Sequence, residues 1–191
     1  MARKTIALLA CLLLLIGCMG CRTIVQHGDS SSPIAVSEVE LPEDFAFSII
    51  WGTYGISSYD SQSGKLVKTK DATDVSKYTA FVKMSKSELR TVYRCLFSDM
   101  DISKYPESYD PFNAPGAEIR MTSEPNQTIE ISVTANGSAK TVKCESVAFG
   151  SLNDCYSEEA KAFLSAEREI VNLITSFPEW NAFPEYEFFY E

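Results

Sequence analysis

The sequence predicts an α+β fold, in which an antiparallel sheet built from hairpins carries two amphipathic helices on one face. Short segments with alternating apolar residues are separated by turn residues, which is typical of strands in hairpins. Two longer segments place apolar residues at helical spacing. Gathering both helices on one face of the sheet buries both apolar stripes.

The first half of the domain is predicted to supply the first strands. Large apolar residues alternate along residues 45–51, which indicates a half-buried strand. The segments 56–59 and 65–69 are joined by Asp60 to Gly64, a sequence that suits a type I turn closed by a left-handed glycine. A further strand is expected over residues 78–84.

A helix is predicted from about residue 86 to residue 99. Ser85 and Glu88 have the spacing of a capping box, in which each side chain satisfies a backbone amide of the other. The apolar residues that follow fall on one helical stripe. The next segment, residues 99–115, contains three prolines and cannot be regular throughout. Its aromatic residues are expected to fold back onto the domain; they are Tyr105, Tyr109 and Phe112.

The second half repeats the order of strands followed by a helix. Ile119 and Met121 predict a short strand, and residues 129–133 predict another. Asn136-Gly137 favours positive φ at both turn positions, so it indicates a tight hairpin into a strand over residues 141–147.

The second helix is expected to begin at Ser157, where Glu158 and Glu159 complement the helix dipole. Pro178 is expected to end it. The aromatic tail, residues 186–190, either adds an edge strand or covers the core.

The N-terminus predicts an export signal over residues 1–17. Arg3 and Lys4 precede an apolar run that is too short to span a bilayer. Leu15-Ile16-Gly17-Cys18 resembles the lipobox of bacterial lipoprotein signal peptides. The resemblance implies that Cys18 becomes the first mature residue and is lipidated at the extracytoplasmic face of the cell membrane. Cys21 fits this pattern less well, and an ordinary secretory signal cut near Gly20 is the alternative.

Residues 18–40 are predicted to be a lipidated N-terminus and flexible tether, and residues 41–191 a single domain. The tether contains His27, the only histidine of the chain, so the domain lacks the histidine that Ser-His-Asp, Cys-His and His-zinc sites need. Removal of residues 1–17 takes away two positive and no negative charges, which moves the net charge from −9 to −11. This acidity opposes nucleic-acid binding and makes membrane residence depend on the lipid.

Four cysteines remain after lipidation of Cys18, an even number in an oxidising compartment. Cys144 and Cys155 are the predicted disulfide, because the chain between them is short and contains Gly150. The alternative is a pair of free, partly buried thiols.

Four acidic residues are candidates for function. Asp99, Asp101 and Asp110 lie in the irregular segment and offer oxygen ligands for calcium, yet their order is not that of an EF-hand loop. Glu167 falls near the middle of the apolar stripe of the second helix. A buried carboxylate there would resist ionisation and could act as an acid or base, whereas one at the helix edge would extend into solvent.

Aromatic residues cluster near the first strand and at the C-terminus. They suit either a core or a groove for carbohydrate or peptide. They are Trp51, Tyr54, Tyr59, Trp180, Phe183, Tyr186, Phe188, Phe189 and Tyr190.

The domain also resembles uncharacterised lipoproteins of Gram-positive bacteria, through residues 47–60, residues 64–67, Tyr105-Pro106-Glu107 and Glu179-Trp180. This resemblance implies a family without a known activity. We therefore expect a lipid-anchored, noncatalytic binding or interaction module whose partner is an envelope protein or a wall fragment, with no cofactor and no metal. The alternatives are a carboxylate-dependent enzyme acting on cell-wall glycan and an inhibitor of an extracellular enzyme.

Overall fold

The structure is a computed structural model that describes residues 40–190. The predicted signal peptide, the lipidation residue Cys18 and nearly all of the tether lie outside the described residues. The described part contains six strands. They are β1 (Ala46–Trp51), β2 (Ser57–Asp60), β3 (Lys65–Val67), β4 (Thr79–Phe81), β5 (Gln127–Ala135) and β6 (Ser138–Val147). They form one antiparallel sheet in the order β4-β3-β2-β1-β5-β6, which confirms the predicted fold class.

Three α-helices of the described part accompany the sheet. They are α1 (Lys86–Arg94), α2 (Glu158–Thr175) and α3 (Pro178–Ala182). The predicted capping box at Ser85 and Glu88 is present, and α1 continues through a π-helical turn over Cys95–Asp99. The Ser157 hydroxyl accepts the Ala160 N–H at 3.1 Å and caps α2 as predicted.

One face of the sheet carries the core. Ile49 of β1 lies opposite Ile131 of β5, and Val142 of β6 lies opposite Ile131 in turn, so their side chains share one face. Val92 of α1 and Phe163 of α2 are buried in the same cluster. Both helices therefore pack on that face, because alternate strand residues place polar side chains on the other.

The hairpin between β5 and β6 forms as its dipeptide predicts. Asn136 and Gly137 both have positive φ, at 52° and 73°. The Asp44 carboxylate accepts both of their N–H groups, at 2.8 and 2.6 Å, and these hydrogen bonds lower the pKa of Asp44. The turn is thus held by an acidic side chain from outside the hairpin.

The strand predicted at Ile119 and Met121 is wrong. Both residues lie in irregular chain, and the Ile119 side chain is 92% exposed. The Asn113 side chain accepts the Met121 N–H at 2.6 Å, which uses a backbone donor that a strand would need. The segment is instead held as a loop against residues 110–113.

The segment 107–109 lies along the outer edge of β6. Lys143 N–H donates to the Glu107 carbonyl at 2.6 Å, and Tyr109 N–H donates to the Lys143 carbonyl at 2.8 Å. The irregular segment therefore packs against the sheet, and Tyr105 and Phe112 are buried in the core as expected.

Gly64 closes the turn between β2 and β3 with a φ of +77°, as predicted. A Cβ here would lie 2.8 Å from the Val82 carbonyl oxygen, whereas at Gly137, with a φ of +73°, it would meet nothing within 4 Å. We expect Gly64→Ala to lower the free energy of unfolding by about 2–4 kcal/mol, and Gly137→Ala by about 1 kcal/mol, because only the first adds a backbone clash to the unfavourable φ. Urea unfolding of both variants measures this difference, and equal losses would contradict it.

Candidate functional site

A cavity of about 210 Å³ lies where β1 ends and β5 begins, beside α2. We call it the Glu167 cavity. Its lining residues are Trp51, Gly52, Phe112, Gln127, Gly150, Leu164, Glu167 and Arg168. It therefore combines apolar walls with one carboxylate, one amide and one guanidinium group.

α2 places Glu167 in this cavity because residues three and four apart share a helix face. Glu167 follows the buried Phe163 and Leu164 by one turn, so its carboxylate lies beside apolar side chains. Burial raises its pKa to about 7, with Arg168 acting weakly in the opposite direction. No hydrogen bond or ion pair reaches this carboxylate from any other residue within 40–190.

Phe112 and Gly150 form the wall opposite α2. The ring of Phe112 lies so close to Gly150 that a Cβ there would come within 2.6 Å of Cε1. Asp110 fixes the loop, since its carboxylate accepts the Phe112 N–H at 2.9 Å and the Asn113 N–H at 3.2 Å. Position 150 therefore requires glycine, because any side chain there would collide with the Phe112 ring.

Arg168 lines the cavity although no pattern in the sequence singled it out. Its Nη2 donates to the Gly150 carbonyl at 3.0 Å, and no ion pair reaches it from the described residues. Its position directly after Glu167 was the available signal, but its contact with residue 150 depends on tertiary structure. Gln127, at the start of β5, was missed for the same reason.

A groove of about 290 Å³ adjoins the cavity and shares Trp51 and Gly52 with it. We call it the aromatic groove. Its other lining residues are Thr53, Ile56, Ser57, Tyr186, Phe188, Phe189 and Tyr190. The tail supplies one wall and does not form a strand, and Phe189 is 74% exposed.

Hydrogen bonds fasten the tail that forms this wall. The Tyr78 hydroxyl donates to the Glu185 carbonyl at 2.8 Å, and the Lys68 ammonium donates to the Pro184 carbonyl at 2.9 Å. The same ammonium lies 4.8 Å from the ring centre of Tyr186, within cation–π range. These contacts hold the C-terminal tail in place, so that its aromatic residues line the groove together with Trp51.

The three aspartates named from the sequence are each engaged locally. Asp99 lies 3.3 Å from the Arg94 guanidinium, Asp101 lies 3.2 Å from the Lys104 ammonium, and Asp110 lies 3.2 Å from the Arg120 guanidinium. These are three separate ion pairs. Asp110 lines a neighbouring cavity of about 530 Å³, together with Tyr109, Tyr156 and Ser146.

One group of residues within 40–190 has the spacing of a metal site: Cys95, Asp99 and Glu169, whose ligand atoms lie within 4.8 Å of one another. Arg94 forms ion pairs with both carboxylates and so already balances their charge. Burial raises the pKa of the Cys95 thiol to about 11, which disfavours the thiolate that a metal requires. The arrangement is best described as an ion-pair network between the helices.

The structure describes three cysteines, Cys95, Cys144 and Cys155, and places no disulfide between them. Cys144 is buried on β6, and burial raises its pKa, whereas Cys155 is partly exposed and its Sγ lies 3.9 Å from the Ser151 carbonyl. The bridge between Cys144 and Cys155 stays a prediction, which a comparison of reduced and nonreduced peptide maps tests.

The chain matches no protein-family model, and no curated protein matches it. The resemblance to Gram-positive lipoproteins stays a prediction. A function therefore has to be inferred from the chemistry of the cavity and groove themselves.

Proposed function

We propose that this protein is a lipid-anchored binding module of the cell envelope, which holds a small ligand in the Glu167 cavity and the aromatic groove. The observation that carries the proposal is the Glu167 carboxylate, which is half-buried between apolar side chains of the cavity and receives no hydrogen bond from the described residues. Burying an unpaired carboxylate destabilises a fold, and a bound ligand that supplies a donor would offset that cost.

The groove supports the same proposal. Binding sites for small molecules are concave and mostly apolar, with a few polar groups that fix orientation. Trp51 links the cavity to the groove, so a ligand held by Glu167 can continue along aromatic side chains. Together the two spaces have the size and lining of a site for one small molecule.

A glycan-cleaving enzyme receives less support. Such enzymes place two carboxyl groups on opposite sides of the scissile bond. Among the residues that line the cavity in the described structure, Glu167 is the only carboxylate. Asp110 and Glu145 both line the neighbouring cavity, but Arg120, Asn113 and the Phe112 N–H occupy the oxygens of Asp110. Binding without catalysis is therefore the function that we propose.

The envelope location rests on the lipobox. Within the described residues, none of the helices combines the length and the apolar character needed to cross a bilayer. We expect Cys18→Ser to release the protein from membranes, because the acyl chains are the proposed anchor. Fractionation of cells that express the two forms measures this. Unchanged membrane retention of the variant would contradict the anchor.

The binding proposal predicts a ligand whose affinity depends on Glu167. The full chain in detergent is titrated at pH 8 with amino acids, short peptides, simple amines and uncharged sugars, and tryptophan emission reports binding because Trp51 lines both spaces. We expect at least one class to saturate, and Glu167→Gln to weaken it about tenfold or more, as for loss of a charged hydrogen bond.

Glu169→Gln is the matched control, because it makes the same change in charge on the same helix outside the cavity. We expect its affinity to stay within about twofold of the original chain, as for an exposed ion pair. A panel without saturable binding, or equal effects of the two substitutions, would refute the proposed function.

A further inference from the structure

We infer that the ligand is amphoteric: it carries a protonated amine that binds Glu167 and a carboxylate that binds Arg168, as amino acids and short peptides do. The inference rests on the proposed function, because it names the chemical class that the same cavity takes. The observation behind it is that Glu167 and Arg168 line one cavity with opposite charges and form no direct ion pair with each other.

Arg168 supplies the cationic half. Arg168 is an exposed residue whose guanidinium lines the cavity and makes one hydrogen bond, to the uncharged carbonyl of Gly150 at 3.0 Å. No carboxylate of the described residues lies within ion-pair distance of it. A guanidinium has five donors in a planar fork that matches a carboxylate, so most of its hydrogen-bonding capacity is open to a ligand.

Glu167 supplies the anionic half. An ionised carboxylate only accepts hydrogen bonds, and its strongest partners are cationic donors. Adjacent residues project about 100° apart on a helix, because one turn takes 3.6 residues. Glu167 and Arg168 consequently line the same cavity without forming an ion pair with each other.

A ligand with one charge would pair with one of these groups and leave the other to solvent. An uncharged sugar would offer neither group an opposite charge. A ligand with both an amine and a carboxylate satisfies both, and hydrogen bonds to charged groups are the stronger kind. The charges of the site therefore favour an amphoteric ligand over a simple amine, a simple acid or a sugar.

The remaining lining defines the body of the ligand. Trp51, Phe112 and Leu164 are apolar walls, and the aromatic groove continues from Trp51. The cavity measures about 210 Å³ and the groove about 290 Å³, which together suit a ligand larger than one amino acid. Short peptides with apolar side chains fit this description.

The test uses leucine, leucyl-leucine, its N-acetylated form and its C-terminal amide as probes of the full chain in detergent at pH 8. We expect leucyl-leucine to bind more tightly than leucine. The N-acetyl cap and the amide cap should each lower the affinity of leucyl-leucine about tenfold or more, as for loss of one charged contact. Glu167→Gln should abolish the effect of the N-acetyl cap, and Arg168→Gln should abolish the effect of the amide cap.

This cycle assigns each charge of the ligand to one side chain, because a cap has no further effect once its partner is removed. Glu169→Gln and Lys161→Gln, on the same helix but outside the cavity, should leave both cap effects intact. They separate a specific contact from a general change in charge.

Equal affinity of the free and capped peptides would overturn the inference, as would absence of binding by leucine and leucyl-leucine. If an uncharged sugar or a simple amine then binds with dependence on Glu167, the proposed function stands and only the ligand class is wrong. If no compound of the panel saturates, both proposals fail.

Discussion

Phe163→Ala is expected to lower the free energy of unfolding by about 3–5 kcal/mol, the range for truncation of a buried phenylalanine. Phe163 is fully buried on α2, and its ring lies 5.3 Å from the ring centres of both Tyr105 and Tyr109. The substitution would open a cavity where α2, the sheet and the irregular segment meet. Urea unfolding of the full chain measures the loss.

Phe81→Ala is the control for this prediction. Phe81 lies on the short strand β4 with 72% of its surface exposed, so its truncation should change the free energy of unfolding by no more than about 0.5 kcal/mol. A loss below about 1.5 kcal/mol for Phe163→Ala would show that α2 does not pack as described.

Glu167→Gln is expected to stabilise the ligand-free protein above pH 7. The pKa of Glu167 is about 7 in the folded chain against an ordinary value of 4.5, because burial disfavours the charge. Between these values the folded state holds a proton that the unfolded state has lost, so the contribution of this group to stability falls as pH rises. Once the pH exceeds 7, the free energy of unfolding has fallen by about 3 kcal/mol because of this group, at 1.36 kcal/mol for each pKa unit.

The difference in free energy of unfolding between Glu167→Gln and the original chain should therefore grow from near zero at pH 4 to about 3 kcal/mol at pH 8. Urea unfolding at several pH values gives this curve, and Glu169→Gln again serves as the control. A difference that does not change with pH would show that the carboxylate is solvated. A stabilised variant that binds less ligand would mean that the chain retains Glu167 for binding at a cost in stability.

Local signals in the sequence were sufficient for several elements. The Asn136-Gly137 dipeptide and the capping box at Ser85 each specify their own backbone geometry, and both features are present. Ile119 and Met121 predicted a strand that does not exist, because two alternating apolar residues are too few to outweigh side-chain hydrogen bonds such as that of Asn113. The alternating pattern of residues 45–51 predicted β1, whereas the strand expected over residues 78–84 is limited to the three residues of β4.

The candidate site was predictable only in part. The helical pattern drew attention to Glu167 because it interrupts an apolar stripe, which is visible within a single helix. Phe112 and Gly150 enter the cavity from separate loops, and no local pattern places one against the other. Asp99 and Asp101 carry the same chemical group as Glu167, yet nearby cations engage them, and those contacts follow from the path of the loop.

The loop that runs along β6 has a consequence for how copies of this chain meet. An open sheet edge is a template on which strands of other molecules can add, and this is a route to aggregation. Glu107 and Tyr109 already occupy the outward N–H and carbonyl of Lys143. At the opposite edge, β4 offers only three residues. The loop therefore obstructs strand addition at Lys143, and the short β4 offers little template at the other edge, which lowers the tendency of this chain to polymerise edge to edge.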